Sequence, residues 1–249
     1  MADAKINNTA TTGAETGSAD TYDPADFTPF AVTVDLVILT VRPPRLDVLL
    51  LQRAEEPFAR QWALPGGFVG PDQDLIEAAR GKLEQKTGVS VETAHLEQLA
   101  TFGHPDRDPR MRVVSVAWLA LLADPPDPVA GIDALDSAWV DIDGLDRSTL
   151  AFDHHLILEA GIERARNRIE YTTLATRFLA DEFTIAELRS VYETLWGVTL
   201  DPANFHRKVN ASQGFVTATG RSVSHGKGRP AKTYAAGPAE YLEPPVRRP

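Results

Sequence analysis

Lys82, Gln85 and Lys86 stand at i, i+3 and i+4 in a run with helical apolar spacing, DLIEAARGKLEQKTG. They therefore share one helix face. Two ammonium groups about one turn apart repel a divalent cation and attract a pyrophosphate. Glu84, two residues past Lys82, points roughly 200° around the helix, and Asp72 and Asp74 lie where a helix N-terminus favours negative charge. No carboxylate cluster suited to metal-assisted hydrolysis results, and neither a catalytic residue nor a metal or cofactor is expected. Arg53, Arg110 and Arg112 are further candidates for phosphate contacts, because a guanidinium pairs with phosphate in a fork. A second phosphate chemistry lies near the C-terminus. Asn204, His206, Arg207, Lys208 and Asn210 fall in one short helical run, where Arg207 suits a guanine edge and Asn204 an adenine. Arg221, Lys227, Arg229 and Lys232 surround a Gly-rich turn with no acid among them, as a DNA-backbone contact requires. The adjacent His154 and His155 diverge by about 100° on a helix, which favours capping or packing over metal ligation.

The composition limits what these residues can belong to. The chain has 249 residues, 43% hydrophobic and 24% charged, and no cysteine. That length suits two ordinary domains, and the lack of cysteine excludes a disulfide scaffold, a cysteine zinc site and a thiol nucleophile. The opening MADAKINNTATTGAETGSAD lacks the apolar core of a secretory signal, and the longest apolar stretches, such as Val113 to Ala123, are too short for a bilayer-spanning helix. A cytoplasmic location with no membrane contact is expected. The net charge of -10 is uneven: residues 201–249 carry eight basic and three acidic side chains, leaving 17 and 32 for the rest. An acidic body with a basic appendage points to a polyanionic partner.

Four segments follow from pattern. Residues 1–26 read as a disordered leader and 237–249 as a flexible tail. Residues 27–147 alternate strands, AVTVDLVILTV and VLLLQRA among them, around one embedded helix that stops at Gly88. Residues 148–236 are helix-rich: a long amphipathic helix after Asp153, a short helix TTLATRFL, a helix from Thr184 to Gly197, and a helix opened by Asp201-Pro202. Phe205 and Val209, four apart, should face the core of this unit. A β-ribbon with a basic tip closes it.

The stretch WALPGGFVGPDQDLIEAARGKLEQKTGV resembles the Nudix box, G-x5-E-x7-R-E-U-x-E-E-x-G-U, with Gly67, Leu83, Gly88 and Val89 in frame. The resemblance implies an α/β/α Nudix sandwich, and Gly66 and Gly67 of LPGGFV join Arg53, Lys82, Lys86, Arg110 and Arg112 as the expected effector-binding set. The glutamates that bind magnesium in active members fall on Lys82, Gln85 and Lys86. Lys82 and Lys86 thus become candidates to neutralise a pyrophosphate in place of the metal. The C-terminal half reads as a winged helix-turn-helix. Taken together, AFDHH, IEYTTLATRFLADEFTIAELRSVYETLWG, NFHRK and GKGRPAKTY resemble the Nudix-related transcriptional regulators of the NrtR type. That family implies a homodimeric repressor on a double-stranded DNA operator, commonly of NAD-biosynthesis genes, released by ADP-ribose. Alternatives are a sugar-responsive regulator of the same architecture, a Nudix hydrolase of a compound such as ADP-ribose, and a winged helix that binds a protein.

Overall fold

A computed structural model describes residues 23–89, 94–130, 134–224 and 230–249. The β-branched run AVTVDLVILTVR favours an extended chain and forms β1 (Ala31–Arg42). Val34, Leu36 and Ile38 point to one side of it and Val37, Leu39 and Val41 to the other, and both sets are buried. A strand buried on both faces must be covered by a layer on each.

The strands β2 (Arg45–Arg53), β3 (Trp62–Ala63), β4 (Gly66–Phe68), β5 (His95–Phe102), β6 (Val113–Leu122) and β7 (Ala134–Asp141) join β1 in a seven-stranded sheet. Its main order is β3-β2-β1-β6-β5, with β4 on β1 and β7 on β2. The β1–β6 pair is parallel, from Ala31↔Val113 to Thr40↔Leu122. This register brings the loop before β6 to the start of β1.

Helix α1 (Leu75–Thr87) covers one face through Ala78, Ala79 and Leu83. It begins in a capping box between Asp74 and Glu77 and ends at Gly88, whose φ of 66° is the left-handed conformation glycine adopts without strain. Helix α2 (His154–Tyr171) covers the other face, burying Ile157, Leu158, Ile162, Ala165 and Ile169. The sandwich thus ends with α2 and not near residue 147. Periodicity alone could not assign α2, because an amphipathic face does not reveal what it packs on. Asp153 precedes α2 but its carboxylate caps no helix N–H, contrary to the pattern-based expectation; Arg107 takes it instead. Glu97 of β5 ties down the same helix. Burial opposes its charge, but bonds from His95, Arg168 and Arg164 hold its carboxyl down to about 2.

Gly161 sets how closely α2 approaches the sheet. A Cβ there would lie 2.7 Å from Val37 Cγ1 and 2.8 Å from Val37 Cβ, so the helix would have to shift. Gly161→Ala is expected to cost about 1–3 kcal/mol in overpacking, partly offset by up to about 1 kcal/mol of better helix propensity. A lower urea midpoint with an unchanged slope checks this.

The second unit contains a 3₁₀ turn (Thr173–Phe178), β8 (Phe183–Thr184), α3 (Ile185–Trp196), α4 (Pro202–Ala211), β9 (Val216–Val223) and β10 (Ala231–Ala236). Helix α3 opens with a Thr184–Glu187 capping box and stops at Gly197, and Asp201 accepts the Asn204 N–H to start α4. Strand β10 lies between β8 and β9. One continuous core cluster joins the α2 side of the sandwich to this unit through Ile185, Leu188, Phe205, Val209 and Phe215.

Residues 237–249 are not a free tail. Leu242 and Val246 are buried in that cluster, their N–H groups donate to Tyr171 and Glu170 carbonyls, and Arg248 pairs with Glu163. The segment is too short and too rich in proline to show periodicity, so its two apolar anchors carried no pattern. Residues 1–22 of the expected leader lie outside the described residues.

Candidate functional sites

Two of the three predicted phosphate-binding arginines converge. Arg53, at the end of β2, lies with its guanidinium 4.8 Å from the Phe152 ring, and Arg110 lies 5.8 Å from the same ring. Arg110 also covers the exposed Phe68 at 5.4 Å. Phe58 meets Phe152 edge-on at 4.7 Å. Burial lowers the Arg53 pKa, and the charge of Arg110 adds to that. Like charges facing one ring are unfavourable, and an anion between them would relieve it. Arg110 is held in place by Asp108, through 3.0 Å and 2.7 Å bonds. Those bonds raise the Arg110 pKa; at Asp108 they outweigh burial and lower the carboxyl. Arg112 stands apart, over Phe30 and donating to the His104 carbonyl.

Phe152 itself has φ 54°, a region bulky residues avoid at a cost of order 1–3 kcal/mol. The surroundings hold it there. Phe58 and Arg60 also have positive φ, 66° and 67°, and Arg53 Nε donates to the Pro57 carbonyl. The turn between β2 and β3 therefore wraps around Arg53.

The remaining predicted residues take other positions. Gly66 pairs with Asp35 on β1, where a Cβ would sit 2.2 Å from the Asp35 carboxylate and 2.5 Å from the Val34 carbonyl; the close strand approach requires glycine. Gly67 lies under the Lys82 side chain, whose Nζ would be 3.2 Å from a Cβ there. Lys82 is half-buried, whereas Lys86 is completely buried and donates to the Ala130 carbonyl at 2.9 Å. The two ammoniums do not form one ligand-facing pair, because the 125–130 loop covers Lys86. The magnesium held by carboxylates in active Nudix proteins does not suit Lys82, Gln85 and Lys86. Among the described residues no three His, Asp or Glu side chains are grouped to hold a metal ion.

Behind the arginine cluster is a buried network that residue spacing did not indicate. Arg107, with a side chain only 3% exposed, donates to Asp153 at 3.0 and 2.6 Å and reaches Asp35 at 3.5 Å. Asp35 also accepts from Ser115 at 2.5 Å. His154 Nδ1 accepts the Leu64 N–H at 2.9 Å, leaving Nε2 facing Asp35 at 3.6 Å. The AFDHH run was a visible signal for Asp153 and His154; Arg107 and Asp35 carried none.

Burial lowers the His154 pKa, despite Asp35. Its neutral form is thus favoured in the fold, and as pH falls below the ordinary value of about 6.5 the unfolded chain takes up the proton first. Stability is expected to be full above that pH and to decline below it. Urea midpoints from pH 7.5 to 5 should fall less for His154→Gln than for the parent chain; equal slopes would refute this assignment.

At the opposite end, Phe205 and Val209 of α4 are buried, as expected, while Asn204, His206, Arg207 and Asn210 are exposed and Lys208 is half-buried. Arg207 donates to Asn204 Oδ1 at 2.7 Å, and Asn210 Nδ2 lies 2.9 Å from both the ring nitrogen and the carbonyl of His206. The helix therefore presents its polar groups in two linked pairs. On the ribbon, Arg221 pairs with Glu182, and Thr219 bonds Thr233 at 2.6 Å. Lys232 pairs in register with Ser222, so it projects from the face opposite Arg221. Lys227 and Arg229 lie outside the described residues.

A seven-stranded sandwich with helices on both faces, followed by a winged helix, defines a two-domain Nudix protein. Residues 29–160 match the Nudix domain model, and residues 175–236 match that of the NrtR DNA-binding winged helix domain. The ADPR responsive transcriptional repressor NtrR of Acinetobacter baylyi is 36% identical over 222 residues, covering 88% of this chain and 87% of that protein. Shewanella oneidensis NrtR complexed with a 27mer DNA superimposes with a TM-score of 0.72 at 34% identity, over 83% of this chain and 94% of that one. The Nudix domain of S. oneidensis NrtR complexed with ADP ribose matches at 36% identity and a TM-score of 0.52, over 58% of this chain and 94% of that one. The chain belongs to the NrtR family.

Proposed function

We propose that this protein is a DNA-binding transcriptional repressor whose Nudix domain binds ADP-ribose and thereby releases DNA. The observation that carries this reading is the course of α2. It starts beside the Arg53–Arg110–Phe152 cluster and ends against the winged helix, where Arg166 donates to the Leu195 carbonyl at 2.6 Å and Tyr192 to the Ile169 carbonyl at 2.8 Å. Guanidiniums suit the pyrophosphate and aromatic rings suit the base. The repressor role of the A. baylyi relative and the two S. oneidensis complexes, with DNA and with ADP ribose, support the same assignment.

Helix α4 enters the major groove with Asn204, His206, Arg207, Lys208 and Asn210, and the ribbon tip with Arg221, Lys227, Arg229 and Lys232 follows the backbone. Two copies related by a twofold axis read a near-palindromic operator. Magnesium-dependent hydrolysis is not part of the function, since two lysines and a glutamine stand on the helix face that would hold the metal. No helix among the described residues is long and apolar enough to cross a membrane.

A gel shift on the chain's own upstream DNA, with and without ADP-ribose, tests this, with hydrolysis assayed in the same mixtures. Specific binding released by intact ADP-ribose is the expected result. Turnover without DNA binding would replace the repressor with an enzyme. Lys208→Ala and Lys232→Ala are each expected to weaken binding to all sequences alike and to reduce the salt slope by about 1; an unchanged slope removes that lysine from the phosphate contacts.

A further inference from the structure

The arginine cluster and α2 meet at a single buried side chain. Arg110 and Arg107 flank Asp108 on one short loop. Arg110 is bound to Asp108, while Arg107 grips Asp153 with two bonds and reaches Asp35 with the same Nη2. Asp153 directly follows Phe152, whose ring faces Arg53 and Arg110 and whose backbone is held at φ 54°. It directly precedes α2 and contributes no cap bond to that helix. Its carboxylate is therefore a handle on the helix start. From Asp35 the network continues to Ser115 on β6 and to His154, which holds the Leu64 N–H.

We propose that Arg107 is the positioning residue that transmits occupancy of the arginine cluster to α2 and hence to the DNA-binding unit. This rests on the repressor reading above. An anion lodged between Arg53 and Arg110 competes with Asp108 for the Arg110 guanidinium. Freed from Asp108, the loop shifts, and Arg107 carries the shift to Asp153 because it is bonded there through two nitrogens. Phe152 is poised for this, since its left-handed backbone is a conformation to which a bulky residue returns only while its surroundings hold it. The two states are Arg110 on Asp108 and Arg110 on the ligand. The ligand changes DNA affinity only to the extent that it prefers the second.

The quantity to measure is the ratio of DNA dissociation constants with saturating and with no ADP-ribose, alongside ADP-ribose affinity by calorimetry on the DNA-free protein. Arg107→Lys keeps the buried charge but cannot grip a carboxylate through a fork. It is expected to bind DNA alone and ADP-ribose alone within about threefold of the parent chain, while the ratio, typically about 5- to 150-fold in coupled systems, collapses toward 1. Should Arg107→Lys fail to fold, Asp153→Asn gives the test, because it keeps the side chain's shape and removes only the charge Arg107 holds. A merely structural role would lower the melting temperature and leave the ratio intact. If the parent chain shows release and a folded variant shows the same ratio, this inference is overturned and the repressor reading stands. If the parent chain shows no release, both fall.

Discussion

Arg53→Ala combined with Arg110→Ala is expected to produce a protein that binds DNA normally but no longer releases it when ADP-ribose is added. Each guanidinium supplies charge-assisted hydrogen bonds worth about 1.5–3 kcal/mol, or about ten- to a hundredfold in affinity. The two effects should add incompletely, because both groups face the Phe152 ring and repel each other, so removing the first relieves the second. A combined loss of about a hundredfold or more in ADP-ribose affinity is the expected calorimetric result. DNA affinity without ligand should not change, since neither side chain lies in the winged helix. Arg112→Ala makes an internal comparison: its guanidinium faces Phe30 rather than Phe152, and its loss should matter less. Unchanged affinity in the double variant would place the ligand elsewhere.

The second large effect concerns an attempt to restore a catalytic box. Putting glutamate at positions 82, 85 and 86 recreates the family's carboxylates on paper. Yet Lys86 is fully buried, with its ammonium 2.9 Å from the Ala130 carbonyl. Lys86→Glu replaces a donor by an acceptor opposite an acceptor, and leaves a buried charge without its partner. Such changes cost about 3–5 kcal/mol, which for a chain of this size corresponds to a fall in melting temperature of roughly 10 °C. Lys86→Met, which fills the same space and removes only the donor, is expected to cost about 1–3 kcal/mol. A thermal melt distinguishes these outcomes. A Lys86→Glu protein as stable as the parent would mean that the side chain can leave its buried site, and would reopen its role as a phosphate contact. Lys82→Glu, at a half-buried position beside Gly67, should be tolerated far better.

Much of the architecture was written in short stretches of chain. The Asp74–Glu77 and Thr184–Glu187 capping boxes, the stops at Gly88 and Gly197, and the Asp201-Pro202 helix start all follow from neighbours within a few residues. So does the exposure pattern of α4, whose buried Phe205 and Val209 lie one turn apart. These features are local, and the sequence by itself determined them, along with the box whose lysines replace carboxylates and the basic character of the last fifty residues. The side of the chain on which α2 packs, the burial of Lys86 under a loop 44 residues away, and the anchoring of Leu242 and Val246 were decided only by the tertiary structure. The same holds for the Arg107 network, which joins groups 46, 72 and 80 residues apart in sequence. Periodicity reports which residues turn inward. It carries no information about which distant group a buried charge will meet, because that is fixed by how whole elements pack and by the need to pair every charge they enclose.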